Sequence, residues 1–75
     1  MKNEHTLKAT LINPIPQDRY RVLAANTNPP KVGDIVGLDQ GFTNAKGEPM
    51  VLVYCVDAGG VMLYEAEVYE SELSC

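Results

Sequence analysis

The run Met50-Val-Leu-Val-Tyr-Cys-Val56, the tetrapeptide Asp57-Ala-Gly-Gly60 and the run Val61-Met-Leu-Tyr-Glu-Ala-Glu-Val-Tyr69 decide how this chain reads. Two stretches rich in β-branched and aromatic residues around a glycine-bearing turn predict an antiparallel hairpin. The first run is apolar on both faces, which places it in the middle of a sheet. The second sets Met62, Tyr64, Ala66 and Val68 on one face and Val61, Leu63, Glu65, Glu67 and Tyr69 on the other. Its first half is therefore expected to be buried twice and its second half once, with Tyr64 and Tyr69 on opposite faces. A helix over Tyr64 to Leu73 competes, because Glu and Ala favour helix, and only a short turn over the last residues is kept from it.

Upstream of the hairpin, Pro14, Pro16, Pro29, Pro30 and Pro49 leave few windows for a helix of ordinary length. His5 to Ile12 alternates Leu7, Ala9 and Leu11 with Thr6, Lys8, Thr10 and Ile12, as a half-buried strand does. Arg19 to Ala25 alternates similarly and stops at Asn26-Thr-Asn-Pro-Pro30. Asp34 to Asp39 makes a third, short candidate with a kink expected at Gly37. Between Asp39 and Pro49 the residues favour turns, so a long hairpin loop over 40–49 is expected, with Phe42 as its hydrophobic anchor and Asn44 to Gly47 as its tip. Five short strands whose edges must be hidden predict an all-β fold, a small antiparallel sheet curled into a barrel.

Composition bounds the rest. Seventy-five residues suit one domain, residues 1–75, with 1–4 as a flexible lead-in, and a core this small leaves little room for an enclosed active site. Six Lys and Arg against ten Asp and Glu give a net charge of −4, which opposes nonspecific attraction to nucleic acid or anionic lipid. Five bases (Lys2, Lys8, Arg19, Arg21, Lys31) lie in the first 31 residues, whereas Asp57, Glu65, Glu67, Glu70 and Glu72 close the chain with no base among them. No stretch approaches the ~20 apolar residues of a membrane span, and the start lacks the apolar core of a signal peptide, so a cytoplasmic location is expected. Cys55, flanked by apolar residues, reads as a reduced core thiol; Cys75 stands at the terminus, where fraying would leave it open to oxidation.

The order Pro30-Lys-Val-Gly-Asp-Ile-Val-Gly-Leu38, long loop, tight hairpin and closing Ser71-Glu-Leu73 turn resembles the small SH3-like barrels over about residues 18–75. That resemblance implies a five-stranded, strongly bent barrel; it does not imply one activity, since such barrels bind peptides, bind nucleic acids or serve as structural subunits. Peptide-binding members use an aromatic groove for proline-rich ligands. Here the loop offers Phe42 alone and the chain has no tryptophan.

Residues suited to catalysis are sparse, so no enzyme activity, cofactor or metal is expected. His5 has no Cys or carboxylate at ligand spacing. Ser71 and Ser74 lie outside any nucleophile motif, and Gly59-Gly60 is a hairpin turn before it is a phosphate cradle. Glu65 and Glu67, about 7 Å apart along one strand face, have the spacing of a carboxylate pair but lack a cleft, and read as a solvated or partner-facing surface. Tyr69 beside these acids suits protein contact because its ring buries area at little entropic cost. Arg19-Tyr20-Arg21 carries the local pattern of single-stranded nucleic-acid binding, but cross-strand pairing with Glu65, Glu67 or Glu70 fits an acidic chain better. The leading expectation is a non-catalytic module docking onto a protein of basic or neutral surface through the acidic face of Glu65, Glu67, Tyr69 and Glu70 or through the long 40–49 loop with Phe42. A homodimer is a further arrangement; an accessory subunit or immunity-type inhibitor of an enzyme is the alternative, and nucleic-acid binding the third.

Overall fold

The computed structural model describes residues 7–74, so the expectations for residues 1–4, His5 and Cys75 fall outside the described residues. Strands β1 (Lys8–Leu11), β2 (Tyr20–Val22), β3 (Ile35–Thr43), β4 (Pro49–Val56), β5 (Met62–Tyr69) and β6 (Leu73–Ser74) are joined by loops and by 3-10 turns at Gln17–Arg19 and Glu70–Glu72. All pairings are antiparallel, in the order β2-β5-β4-β3-β1-β6. The apolar run at Met50–Val56 indeed lies inside the sheet, between β5 and β3.

A closed barrel of five strands is not what forms. The described residues make one open sheet of six strands whose ends, β2 and β6, are not paired with each other. The sixth strand stands where the sequence predicts only a closing turn: Thr10 and Leu11 pair with Ser74 and Leu73, so β1 draws the final residues into the ladder. The sheet is nevertheless strongly curled. β5 and β6 lie four strand spacings apart, about 19 Å if flat, while the three residues between them reach at most about 14 Å even when extended. Only a sheet bent back toward itself lets so short a link join them.

The long loop expected over 40–49 is also shorter than its composition suggests. β3 continues through Thr43, with Gln40, Gly41, Phe42 and Thr43 opposite Leu52, Val51, Met50 and Pro49, and the register shifts between Leu38 and Gln40. Pairing against the strongly β-prone β4 overrides the turn preference of these residues. Rather than kinking β3, Gly37 accommodates the Tyr54 ring, which a Cβ at that position would overlap.

Both tips of the β3–β4–β5 meander are built alike. Asn44 Oδ1 accepts the amides of Lys46 and Glu48 at 2.9 and 3.0 Å, and Asp57 Oδ1 accepts those of Gly59 and Val61 at 2.8 and 3.0 Å. Each loop then needs a left-handed residue, supplied by Gly47 (φ 81°) and Gly60 (φ 84°). Gly60→Ala is expected to cost about 1 kcal/mol and lower Tm by about 4–8 °C, whereas Gly59→Ala, at a position without positive φ, changes Tm little. Differential scanning calorimetry of the two variants reads the contrast.

The core lies on one face of the curl, where Leu11, Ile15, Val36, Val53, Tyr64, Ala66 and Val68 are buried. Cys55 packs against this cluster with its thiol free and half-buried. Val61 and Met62 do not receive the two-sided burial expected of them, being 52 % and 40 % exposed. They stand at the hairpin tip, past Leu63, whose carbonyl accepts the last β2-side amides, those of Leu23 and Ala24.

Candidate functional site

Residues directly paired across neighbouring strands point to the same face. Val51, Val53 and Cys55 of β4 belong to the core, so Met50, Leu52 and Tyr54 face outward, and the register carries this assignment sideways. Phe42, Met50 and Tyr69 form one row across β3, β4 and β5. Gln40, Leu52 and Glu67 form the next. Lys8, Gly37, Tyr54, Glu65 and Arg21 span all five strands from β1 to β2 in the third.

Four of the five residues expected to contact a partner thus share the outer face: Phe42, Glu65, Glu67 and Tyr69. Glu70 sits at its rim in the second 3-10 turn, exposed. Their surroundings differ. Glu67 is exposed and, like Glu70, carries no ion pair among the described residues. Glu65 is held by Arg21 at 2.9 Å across the strand, as the sequence suggested. Phe42 is half-buried, as an anchor would be, but it lies within β3 opposite Met50 and not in a loop.

Met50 was not singled out in the sequence, yet it is only 4 % exposed and stands apart from the main core. A small second cluster covers it from the outer face. The Asn44 amide donates to Met50 Sδ at 3.3 Å and to Glu48 Oε1 at 2.9 Å, and the Tyr69 hydroxyl donates to the same Glu48 oxygen at 3.0 Å. These bonds, that from Asn44 first, hold the Glu48 carboxyl below its ordinary range, while the Glu48 carboxylate raises the Tyr69 phenol.

Glu72 is the principal residue that the sequence reading missed. Its carboxylate receives both guanidinium nitrogens of Arg19, at 2.8 and 3.0 Å, and the Tyr69 amide at 2.9 Å. Arg19 Nη1 also donates to the Glu67 carbonyl at 3.0 Å, and its guanidinium carbon lies 5.0 Å from the Tyr69 ring centroid. Arg19 is therefore a plug on the edge of β5 just before β2 begins. The bidentate bond to Arg19 depresses the Glu72 carboxyl and, reciprocally, raises the guanidinium. One signal pointed here: Glu72 stands three residues after Tyr69, the spacing of a carboxylate that turns back to cap a turn. With Arg19 on Glu72 and Arg21 on Glu65, both guanidiniums of the basic stretch are engaged within the chain.

Three depressions accompany the surface. One of about 180 Å³ runs past Arg19, Arg21, Leu52, Glu65 and Glu67, below the usual range of small-molecule pockets. Another, about 310 Å³, opens beside Lys31, Asp34, Cys55 and Tyr64. There the Tyr64 hydroxyl donates to Asp34 Oδ2 at 2.8 Å; burial, with the Asp34 bond behind it, pushes the phenol far up. Burial likewise raises the Cys55 thiol, so neither group is a ready nucleophile at neutral pH. The last depression, about 500 Å³, lies on the outer face between Lys8, Ile35, Gly37, Tyr54 and Val56. Among the described residues no group of three His, Cys, Asp or Glu is placed to hold a metal, and no helix is long and apolar enough to cross a membrane. Comparison with protein-family models, with curated proteins and with solved structures found no match to this chain.

Proposed function

We propose that this chain is a non-catalytic, cytoplasmic protein-binding module that docks through the outer face of β3, β4 and β5 onto a protein of basic or neutral surface. One observation carries the reading: Phe42, from a separate part of the sequence, stands on the same sheet face as Glu65, Glu67 and Tyr69, in adjacent rows, with Glu70 at its rim. The half-buried rings supply contact area, and the acids Glu67 and Glu70 supply charge selection. A protein partner accounts for the site better than nucleic acid, because the two arginines that would contact phosphates already serve Glu65 and Glu72. We also read the curled sheet as an SH3-like barrel. Its support is the meander β3-β4-β5, the 3-10 turn that follows, and the return of the last strand to β1.

Affinity capture from an extract of the source cells tests the docking face. The wild-type chain is expected to retain a protein that a Glu67→Lys/Glu70→Lys variant, equally folded by circular dichroism, fails to retain. Retention should also weaken as salt is raised. Identical recovery by both chains, or by neither, sinks the proposal.

A further inference from the structure

The other end of the outer face is apolar and carries its own charge pattern. Ile35 and Val56 are 63 % and 44 % exposed, and Met62, paired with Val56, continues the strip to the hairpin. Beside them lies the depression of about 500 Å³ bordered by Lys8, Ile35, Gly37, Tyr54 and Val56, with the Tyr54 ring packed over Gly37. Large apolar side chains grouped around a recess mark a contact surface rather than isolated exposure.

The strand register says what fits there. In the row Lys8–Gly37–Tyr54–Glu65, Lys8 on β1 and Glu65 on β5 lie on opposite sides of a line drawn between β3 and β4. At about 4.8 Å per strand each stands about 7 Å from that line. Make the line a two-fold axis, with two copies packed face to face, and Lys8 of each copy meets Glu65 of the other at both ends of the row; Glu65 Oε2 already accepts from Arg21 of its own chain at 2.9 Å, so Lys8 is received by Oε1. The same operation sets Ile35 of one copy over Val56 of its mate. A curled sheet presents its outer face as a ridge, so two copies touch along a strip centred on β3 and β4, where these apolar residues lie. Ile35, the most exposed of them, is the side chain placed to enter the recess of the opposite copy.

We infer that the chain forms a symmetric dimer through this half of the outer face, with Ile35 and Val56 at its centre and reciprocal Lys8–Glu65 ion pairs at its sides. A two-fold interface requires a self-complementary patch, and the row supplies one in both charge and shape. The inference rests on the docking reading in taking the outer face as the contact surface; it names a second copy as the occupant of the Ile35 end and leaves the Glu67–Glu70 end for the other partner.

Charge reversal tests it on the purified full chain by sedimentation velocity at up to ~1 mM. Wild type is expected to sediment as a dimer. Lys8→Glu sets two carboxylate pairs against each other in the dimer, and Glu65→Lys two ammonium pairs. Each alone is expected to weaken association on the order of tenfold or more. Mixed one to one, the two variants are expected to regain wild-type association. In the mixed dimer the new carboxylate of the Lys8→Glu copy faces the new ammonium of the Glu65→Lys copy at one end, and the native pair persists at the other. Circular dichroism confirms that both variants are folded. A wild-type chain that stays monomeric overturns the inference, as does a dimer indifferent to both reversals or a mixture that fails to recover. The docking reading fails by a separate result: loss of discrimination by the Glu67→Lys/Glu70→Lys variant in extract, with sedimentation of the pure chain unaffected.

Discussion

Glu72→Ala is expected to destabilise the chain by about 2–4 kcal/mol, because it strands a guanidinium in a place built to neutralise it. Arg19 and Glu72 side chains are only 19 % and 10 % exposed, so solvent does little to screen the partner left behind. Removing the carboxylate also orphans the Tyr69 amide and unties the 3-10 turn from the strand before it. Domains of this size hold roughly 4–11 kcal/mol in all, so the loss is a large share of the total. Urea denaturation should show a lower midpoint at unchanged slope. The double variant Arg19→Met/Glu72→Met is expected to lose less than Glu72→Ala alone, since no charge is left unpaired. Equal or additive losses would show that the pair acts as two independent surface charges.

The same contact fixes how stability depends on pH. In the folded chain Glu72 titrates below its ordinary value of 4.5, chiefly because Arg19 binds the ionised form. A group whose folded value is depressed binds more protons unfolded than folded on the acid side. Its stabilisation is therefore full above about pH 4.5 and drains away as pH falls through the lower folded value. Arg19, whose guanidinium the Glu72 bond shifts further upward, titrates outside any working range. Glu72→Gln keeps an acceptor but not the charge, so its stability is expected to fall less steeply than that of wild type between about pH 5 and about pH 3.

Strand β4, the Tyr64 side of β5 and the two hairpin tips were legible in the sequence because local chemistry and tertiary context agree there. Period-two burial put Tyr64, Ala66 and Val68 inside, and Asn44 and Asp57 each stand three residues before a glycine that the loop requires. The second half of β3 was not legible. Asp39-Gln-Gly-Phe-Thr43 has turn-forming composition, and only its neighbour β4 makes it a strand. Strand β6 is two residues long and exists because β1 offers an edge. Of the candidate site, the shared face of Glu65, Glu67 and Tyr69 followed from alternation alone. The Arg19–Glu72 bond did not, for its partners are 53 residues apart and meet only once β2 has paired with β5 and the 3-10 turn has formed at the end of β5. Arg21 found Glu65 because the two are opposite in the ladder; Arg19, one position before the start of β2, turned to the Glu67 carbonyl and the turn beyond it.

Tyr64 links the hydrophobic interior to the placement of that outer face, and Tyr64→Ala is expected to have the largest effect on the chain. The side chain is the biggest fully buried one, 2 % exposed, and its truncation combines lost burial with a cavity that a single curled sheet has little means to fill. The expected cost is about 3–5 kcal/mol, enough to leave a domain of this size largely unfolded at about 37 °C. Tyr64→Phe separates the terms. It preserves the ring and removes only the hydroxyl bond to Asp34, which retains the Lys31 amide at 3.1 Å, so about 1–2 kcal/mol is expected. Because Tyr64 points inward opposite Cys55, the next residue, Glu65, must point outward opposite Tyr54, and a slip of one position would exchange the faces. Tyr64→Phe should therefore keep both the docking behaviour and the pairing of copies while lowering the urea midpoint. If instead it abolished either without loss of fold, the phenol–carboxylate contact would have a role in binding that its burial does not suggest.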